Sequence, residues 1–253
     1  MSIANLDGLL WLLLLIAPLL FLQRNLHREI QAIFLLLTRQ PEIAVALFSL
    51  IFLPGVLLHE TSHYLMARLL GVRTGRFSIV PQKMEDGRLQ LGFVETAAVD
   101  FFRDALIGAA PLITGGLFVA FAGLTRMGLN TLWGSQAGGQ MRVFLDTLTS
   151  LTEQPDFWLW FYLTFTVSST MLPSASDRRA WLPLLLVILV LLGLTLLAGA
   201  GPWLVAHLAP TLNSALRSVA VVFGITVLLH LILFPPAWAL RKLISRLVGY
   251  QVV

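Results

Sequence analysis

The chain has 253 residues, 57% of them hydrophobic and only 12% charged, with a mean hydropathy of +0.84. Soluble domains carry about 25% charged residues, so the composition excludes an ordinary cytosolic enzyme and indicates a membrane protein. The 17 Lys+Arg against 13 Asp+Glu give +4, too few and too scattered for nucleic-acid binding. The lack of cysteine rules out disulfides, thiolate metal sites and thiol catalysis, so any metal site must use His, Asp or Glu.

A spanning helix needs roughly 20 apolar residues. The pattern predicts an all-α membrane protein of about six spans, at residues 9–22, 43–70, 105–124, 157–172, 181–204 and 219–240. The first run is short and reads as a retained span rather than a signal peptide, with no basic residues before it and no small-residue cleavage site. A polar stretch, 23–41, follows it. Pro54 is expected to kink the second span. Residues 76–81 and 88–94 read as short strands around Glu85-Asp86-Gly87, an Asp-Gly hairpin signal, which gives a β-hairpin over 76–94. A loop from 125 to 156 carries Gly134, Gly138 and Gly139. Trp158, Trp160, Trp181, Trp203 and Trp238 fall near span ends, as interfacial aromatics do. No internal repeat or low-complexity linker divides residues 1–253, so a single domain is expected.

Alternating the loops across the bilayer sorts the cations. One side holds Arg73, Arg76, Lys83, Arg88, Arg103, Arg178, Arg179, Arg241, Lys242 and Arg246, and the other holds Arg24, Arg28, Arg39, Arg126, Arg142 and Arg217. The positive-inside rule makes the first side cytoplasmic, although Arg24 and Arg28, flanking the first span, argue locally for the reverse.

The second span contains His59-Glu60-Thr61-Ser62-His63. In a helix the spacing of four puts both imidazoles on one face, where they can share a tetrahedral Zn²⁺. Glu60, beside the first ligand, is placed to take a proton from a water acidified by the metal and hand it to a leaving amine. Ionisable residues at membrane depth cost about 2.5–3.5 kcal/mol each on insertion scales and are functional by default. Three of them within five positions of an apolar helix call for a metal or a cavity. Two histidines leave the shell one protein ligand short, since catalytic zinc usually has three plus water.

His59 to His63, continued through Ala67 and into Gly71-Val72-Arg73-Thr74-Gly75-Arg76-Phe77-Ser78-Ile79, resembles the site-2 protease family of intramembrane zinc metalloproteases. The likeness covers about 25 residues, an H-E-x-x-H-x-x-x-A helix leading into G-V-x-x-x-x-F-S-I. It implies that the hairpin is membrane-associated and helps present an extended substrate. Gly108-Ala109-Ala110-Pro111 is similar to the family's small-residue-Pro segment, with Thr114 where Asn is expected. Thr170-Met171-Leu172-Pro173, followed by Asp177-Arg178, is similar to its second metal motif, N-x-x-P then D-G. Here Thr170 replaces Asn, Arg178 replaces Gly and the Pro-to-Asp spacing is one residue shorter. The resemblance makes Asp177 the third zinc ligand, with Thr114, Ser169 and Thr170 as substrate-positioning groups in place of the missing Asn. Asp100 and Asp104 are the alternative third ligands.

Counting spans supports the pairing independently. The chain leaves span two after His63, crosses twice more and exits span four before Asp177, so both ligand sets fall at one face. A miscount would part them by about 30 Å of bilayer.

Elsewhere, His230 on the sixth span is expected to make an interhelical hydrogen bond, and His27 and His207 to be solvated near interfaces. The polar run Thr164 to Thr170 reads as packing glue. Arg178 and Arg179 read as interfacial anchors that could instead draw Asp177 away from a metal.

The expected function is therefore a multi-pass, zinc-dependent intramembrane endopeptidase cleaving membrane-protein substrates within or near a transmembrane segment, its site open to the cytoplasm. The competing expectation is a protease-like structural or regulatory subunit of a membrane complex, or a homo-oligomer, with little or no peptidase activity. A transporter is the weakest reading, because no inverted repeat is visible.

Overall fold

The computed structural model describes residues 7–83, 89–132 and 141–249. Its elements are α1 (Asp7–Thr38), α2 (Pro41–Leu69), β1 (Thr74–Ser78), β2 (Gln82–Lys83), β3 (Leu89–Gln90), β4 (Phe93–Thr96), α3 (Phe101–Phe121), α4 (Met141–Thr152), α5 (Phe157–Thr170), α6 (Trp181–Leu197) and α7 (Gly201–Val248). A single wide π-turn, Ala122–Arg126, extends α3. Among the described residues, four helices are long and apolar enough to cross a bilayer: α1, α2, α3 with its π-turn, and α7. The chain is an integral membrane protein built almost entirely of helices.

Several boundaries differ from expectation. The first apolar run does not stop at residue 22. Leu26, Ile33 and Leu36 continue a buried face at helical spacing, so the helix carries on through the polar stretch to Thr38. Arg39 then takes a positive φ of 55° and Pro41 opens α2 at a position where its missing N–H costs nothing. The expected fourth span is a helix of only 14 residues, about 21 Å long, ending three residues before Pro173. The fifth is cut to 17 residues by Gly199, which turns the chain in the left-handed region at φ 81°. The sixth lies inside α7, whose 48 residues reach about 72 Å.

Three helices form the frame of the molecule. Tyr162 donates to the Ile51 carbonyl, Gly55 lies against Thr166, and His59 bonds the Thr170 carbonyl, so α2 and α5 run parallel and in step. Helix α3 runs against both, with Ile107 at His63, Gly115 at Met171 and Phe121 at Trp160. The C-terminal half of α5 is interior, while Trp158, Leu159 and Tyr162 of its first half are exposed. Thr164, Thr166, Ser168 and Ser169 are buried, and Thr166 and Ser168 donate back to carbonyls of their own helix, so they serve as small packing residues. A Cβ at Gly55 would run into the Thr166 carbonyl oxygen and the Thr170 hydroxyl, and its absence lets α2 and α5 touch backbone to backbone.

Helices α1 and α7 pair lengthwise. Arg217 meets Asp7, Asn213 caps the Gly8 N–H at 2.9 Å, and Arg241 meets Glu29. The two helices therefore run in the same direction. Six spans in strict alternation would set the first and last antiparallel, so the cation sorting that places Arg24 and Arg28 across the bilayer from Arg241 does not describe this fold.

Between α2 and α3 the strands pair in antiparallel fashion, β1 with β4 and β2 with β3. The arms thus begin at Thr74, two residues before the expected start. The tip Glu85-Asp86-Gly87 lies outside the described residues, as do Gly134, Gly138 and Gly139.

Gly55→Ala tests the α2–α5 contact. Overpacking of this kind costs about 1–3 kcal/mol, so the thermal midpoint of the detergent-purified protein is expected to fall by several degrees. An unchanged midpoint would mean that the two helices separate freely.

Candidate metal centre

His59 and His63 sit one turn apart on α2, their ring centroids 4.8 Å from each other. Each ring is held from behind by a carbonyl of another helix. His63 Nδ1 bonds the Ile107 carbonyl at 2.8 Å. In an α-helix that oxygen would accept from residue 111, but residue 111 is Pro111, which has no N–H. The proline frees the carbonyl and the histidine fills it. His59 Nδ1 bonds the Thr170 carbonyl at 2.7 Å. Thr170 ends α5, and helix-terminal carbonyls lack intrahelical partners. The N–H four residues on, that of Ser174, is given to Asp177 Oδ2 at 2.7 Å.

A carbonyl only accepts, so both Nδ1 atoms carry hydrogen and each neutral ring presents a bare lone pair at Nε2. The two Nε2 atoms are 3.2 Å apart. Asp177 closes the triangle, Oδ1 lying 3.4 Å from His63 Nε2 and Oδ2 3.7 Å from His59 Nε2. Ligands at 2.0–2.1 Å around a tetrahedral ion are about 3.3–3.4 Å apart, so the Nε2–Nε2 and His63 Nε2–Oδ1 separations suit a shared metal, which the two histidines and Asp177 could hold. Burial acts to raise the Asp177 pKa, but His59, the Ser174 hydrogen bond and His63 outweigh it and hold the carboxyl well below the usual carboxylate range. The carboxylate is therefore ionised at neutral pH. Among the described residues, these three form the group of side chains placed to hold a metal.

The centre opens into a cavity of about 180 Å³. Glu60 lines it beside the histidines, and Phe93, Val94 and Thr96 of β4 form a wall. A Cβ at Gly92 would come within 2.8 Å of Glu60 Cγ, so glycine there lets the strand arm lie on the carboxylate. Gly108 does the same on the other side, where a Cβ would collide with the Asp177 carbonyl. The hairpin expected from the sequence supplies the β4 wall, whereas no residue-type pattern reports the two carbonyl anchors, Ser174 or Gly92. Pro111 is the one signal the sequence offers, since the carbonyl it frees lies four residues back, at Ile107.

The alternative third ligands are otherwise engaged. Asp100 caps α3, accepting from Phe102 and Arg103 N–H groups at 3.1 Å. Asp104 grips Arg179 through two 2.7 Å hydrogen bonds, while Arg178 donates to the Ser174 carbonyl. Neither arginine takes Asp177 from the histidines. The three proposed substrate-positioning groups do not line the cavity. Thr114 meets Ser62 at 2.5 Å, Ser169 bonds His230 Nε2 at 3.0 Å, and the Thr170 hydroxyl donates to Thr166. Thr170 contributes its carbonyl instead.

His230 is wholly buried, donates from Nδ1 to the Thr226 carbonyl of its own helix and accepts at Nε2 from the Ser169 hydroxyl, so it joins α7 to α5. His207 is exposed and stacks on Trp203. His27, expected to be solvated, lies edge-on against Phe48 and Phe52, and its buried Nε2 has no partner among the described residues.

Pro111→Ala separates anchoring from helix stability. Alanine restores an N–H that competes for the Ile107 carbonyl, so zinc affinity is expected to fall about 10- to 100-fold, as when an outer partner of a ligand is lost. The helix itself gains, since proline in its interior costs about 3 kcal/mol. Titration of metal-free protein with zinc reads the first effect, and equal affinity in both proteins would refute the anchoring role.

Comparison with protein-family models, curated proteins and solved structures returned no match, so the functional reading rests on the residues themselves.

Proposed function

We propose that this chain is a zinc-dependent endopeptidase of the membrane, cleaving membrane-protein substrates within or near a transmembrane segment. The observation that carries the reading is the convergence of two imidazoles, each fixed at Nδ1, and one ionised carboxylate on a common point near the end of a membrane helix. His59, His63 and Asp177 would hold the ion. Bound there, zinc supplies Lewis acidity that polarises a peptide carbonyl and acidifies a water.

The chain's own groups do the rest. Glu60 takes the proton from the attacking water onto its carboxylate and passes it to the leaving amine nitrogen. Strand β4 pairs with β1 on one edge and walls the cavity, so an extended peptide laid along it reaches the histidines by main-chain pairing. The Arg179–Asp104 clamp fixes the loop carrying Asp177 against α3.

One observation favours the second reading, a protease-like subunit with little or no peptidase activity. The hydroxyls of Thr114, Ser169 and Thr170 are bonded within the helix bundle, and none of them replaces the side-chain amide that the resembled family carries at the second motif.

Two variants, assayed in proteoliposomes with elemental analysis of the purified protein, distinguish these readings. Glu60→Gln is expected to retain stoichiometric zinc and to lose cleavage by at least about 100-fold, the scale of general-base catalysis. Asp177→Ala is expected to lose both. Wild-type cleavage rates in Glu60→Gln would sink the mechanism, while zinc without cleavage in the native chain would establish the second reading.

A further inference from the structure

The parallel pairing of α1 and α7 gathers cations that are more than 200 residues apart in the sequence. Within residues 20–38 the charged groups are Arg24, Arg28 and Glu29, and within 233–249 they are Arg241, Lys242 and Arg246. Arg241 and Glu29 form an ion pair across the two helices, which fixes their register. Five cations thus stand against one acid within about 15 Å along the helix pair. Arg24, Arg28, Lys242 and Arg246 are exposed.

Between the helices at this level is a cavity of about 440 Å³, bordered by Asn25, Arg28, Glu29, Gln31 and Arg241. Its lining combines cations with side-chain amides, the donors that a phosphate diester accepts from. Below it along both helices the surface turns apolar, with Leu20 and Phe21 exposed on α1 and Leu231 and Ile232 on α7. Lys242 Nζ rests 3.9 Å above the Trp238 ring. Leu37 on α1 and Leu243 and Leu247 on α7 are exposed on the other side, so arginine, lysine and tryptophan stand among apolar side chains, as at the interfacial level of a bilayer, where long cations bury their stems and hold their charges at the headgroups.

We propose that the groove between α1 and α7 at Arg28 and Arg241 binds the headgroup of an anionic phospholipid. Glu29 already neutralises Arg241, and Arg28 is left for the phosphate. A zwitterionic headgroup would bring its own ammonium against this excess of cations, so the groove selects for net negative charge. The metal centre plays no part in this inference.

The test uses the full chain in nanodiscs of equal phosphatidylglycerol and phosphatidylcholine, with retained lipid counted by native mass spectrometry. Phosphatidylglycerol is expected to be retained about fivefold or more over phosphatidylcholine, the factor that one surface cation confers. The double variant Arg24→Gln, Arg28→Gln is expected to erase that preference, and Arg142→Gln on α4 to keep it. Should the double variant fail to fold, Arg28→Lys and a salt titration of the native chain replace it. Retention is then expected to survive the conservative change and to fall with salt. Equal retention of the two lipids, preference unchanged in the double variant or by salt, or displacement of the lipid by millimolar glycerol phosphate would each overturn the proposal, the last by showing a site for a small free anion.

Discussion

The metal-centre geometry depends on two carbonyl oxygens that have no partner in their own helices. In an apolar interior an unpaired carbonyl is costly, so something must donate to it. Pro111 creates one such acceptor at Ile107, and the end of α5 leaves another at Thr170. Each is satisfied by a histidine of α2, which fixes the ring, its tautomer and the direction of its free nitrogen together. The same device recurs away from the centre. Pro173 frees the Ser169 carbonyl, which accepts from Gln23 of α1 at 2.6 Å. Prolines in this protein therefore act as connectors between helices, turning a defect in one backbone into a bond from another side chain.

That arrangement only works because backbones come close. Gly55 brings α2 against α5, Gly108 brings the Asp177 loop against α3, and Gly92 brings the strand arm over Glu60. At each place a methyl group would intrude on backbone or on a reactive side chain. The small polar residues of α5 complete the same logic, filling the centre of the frame with little volume while spending hydroxyls on their own helix. Stability and site geometry are thus set by one set of close contacts, and a change that loosens the frame will also spread the donors.

What could be read from the sequence was local. The H-E-x-x-H spacing placed His59 and His63 together because helical periodicity alone decides it, and span counting put Asp177 at the same end because it needs only the direction of α2 and α5. Length and partner were not legible. The helical face of Leu26, Ile33 and Leu36 continues through Arg24 and Arg28, so a hydropathy window ends a helix that the backbone does not. The 14 residues of α5 look like a span in composition, but the helix is short and its second half is packed inside the bundle, a placement set by neighbours rather than by the residues. Thr170 illustrates the limit for the site. Its side chain sits at the motif position, yet its carbonyl is the atom that matters, and no residue-type pattern reports on a main-chain oxygen.

The union of α1 with α7 also sets a timetable. Asp7 and Gly8 find partners in Arg217 and Asn213, and Glu29 in Arg241, so a chain still being synthesised carries α1 through most of its growth with that flank uncovered. Contacts of such sequence separation form late. The frame of α2, α3 and α5, and the metal donors with it, is complete by residue 177, well before that flank is closed. Assembly is therefore ordered, with the chemistry put in place first and the outer pair locking on last.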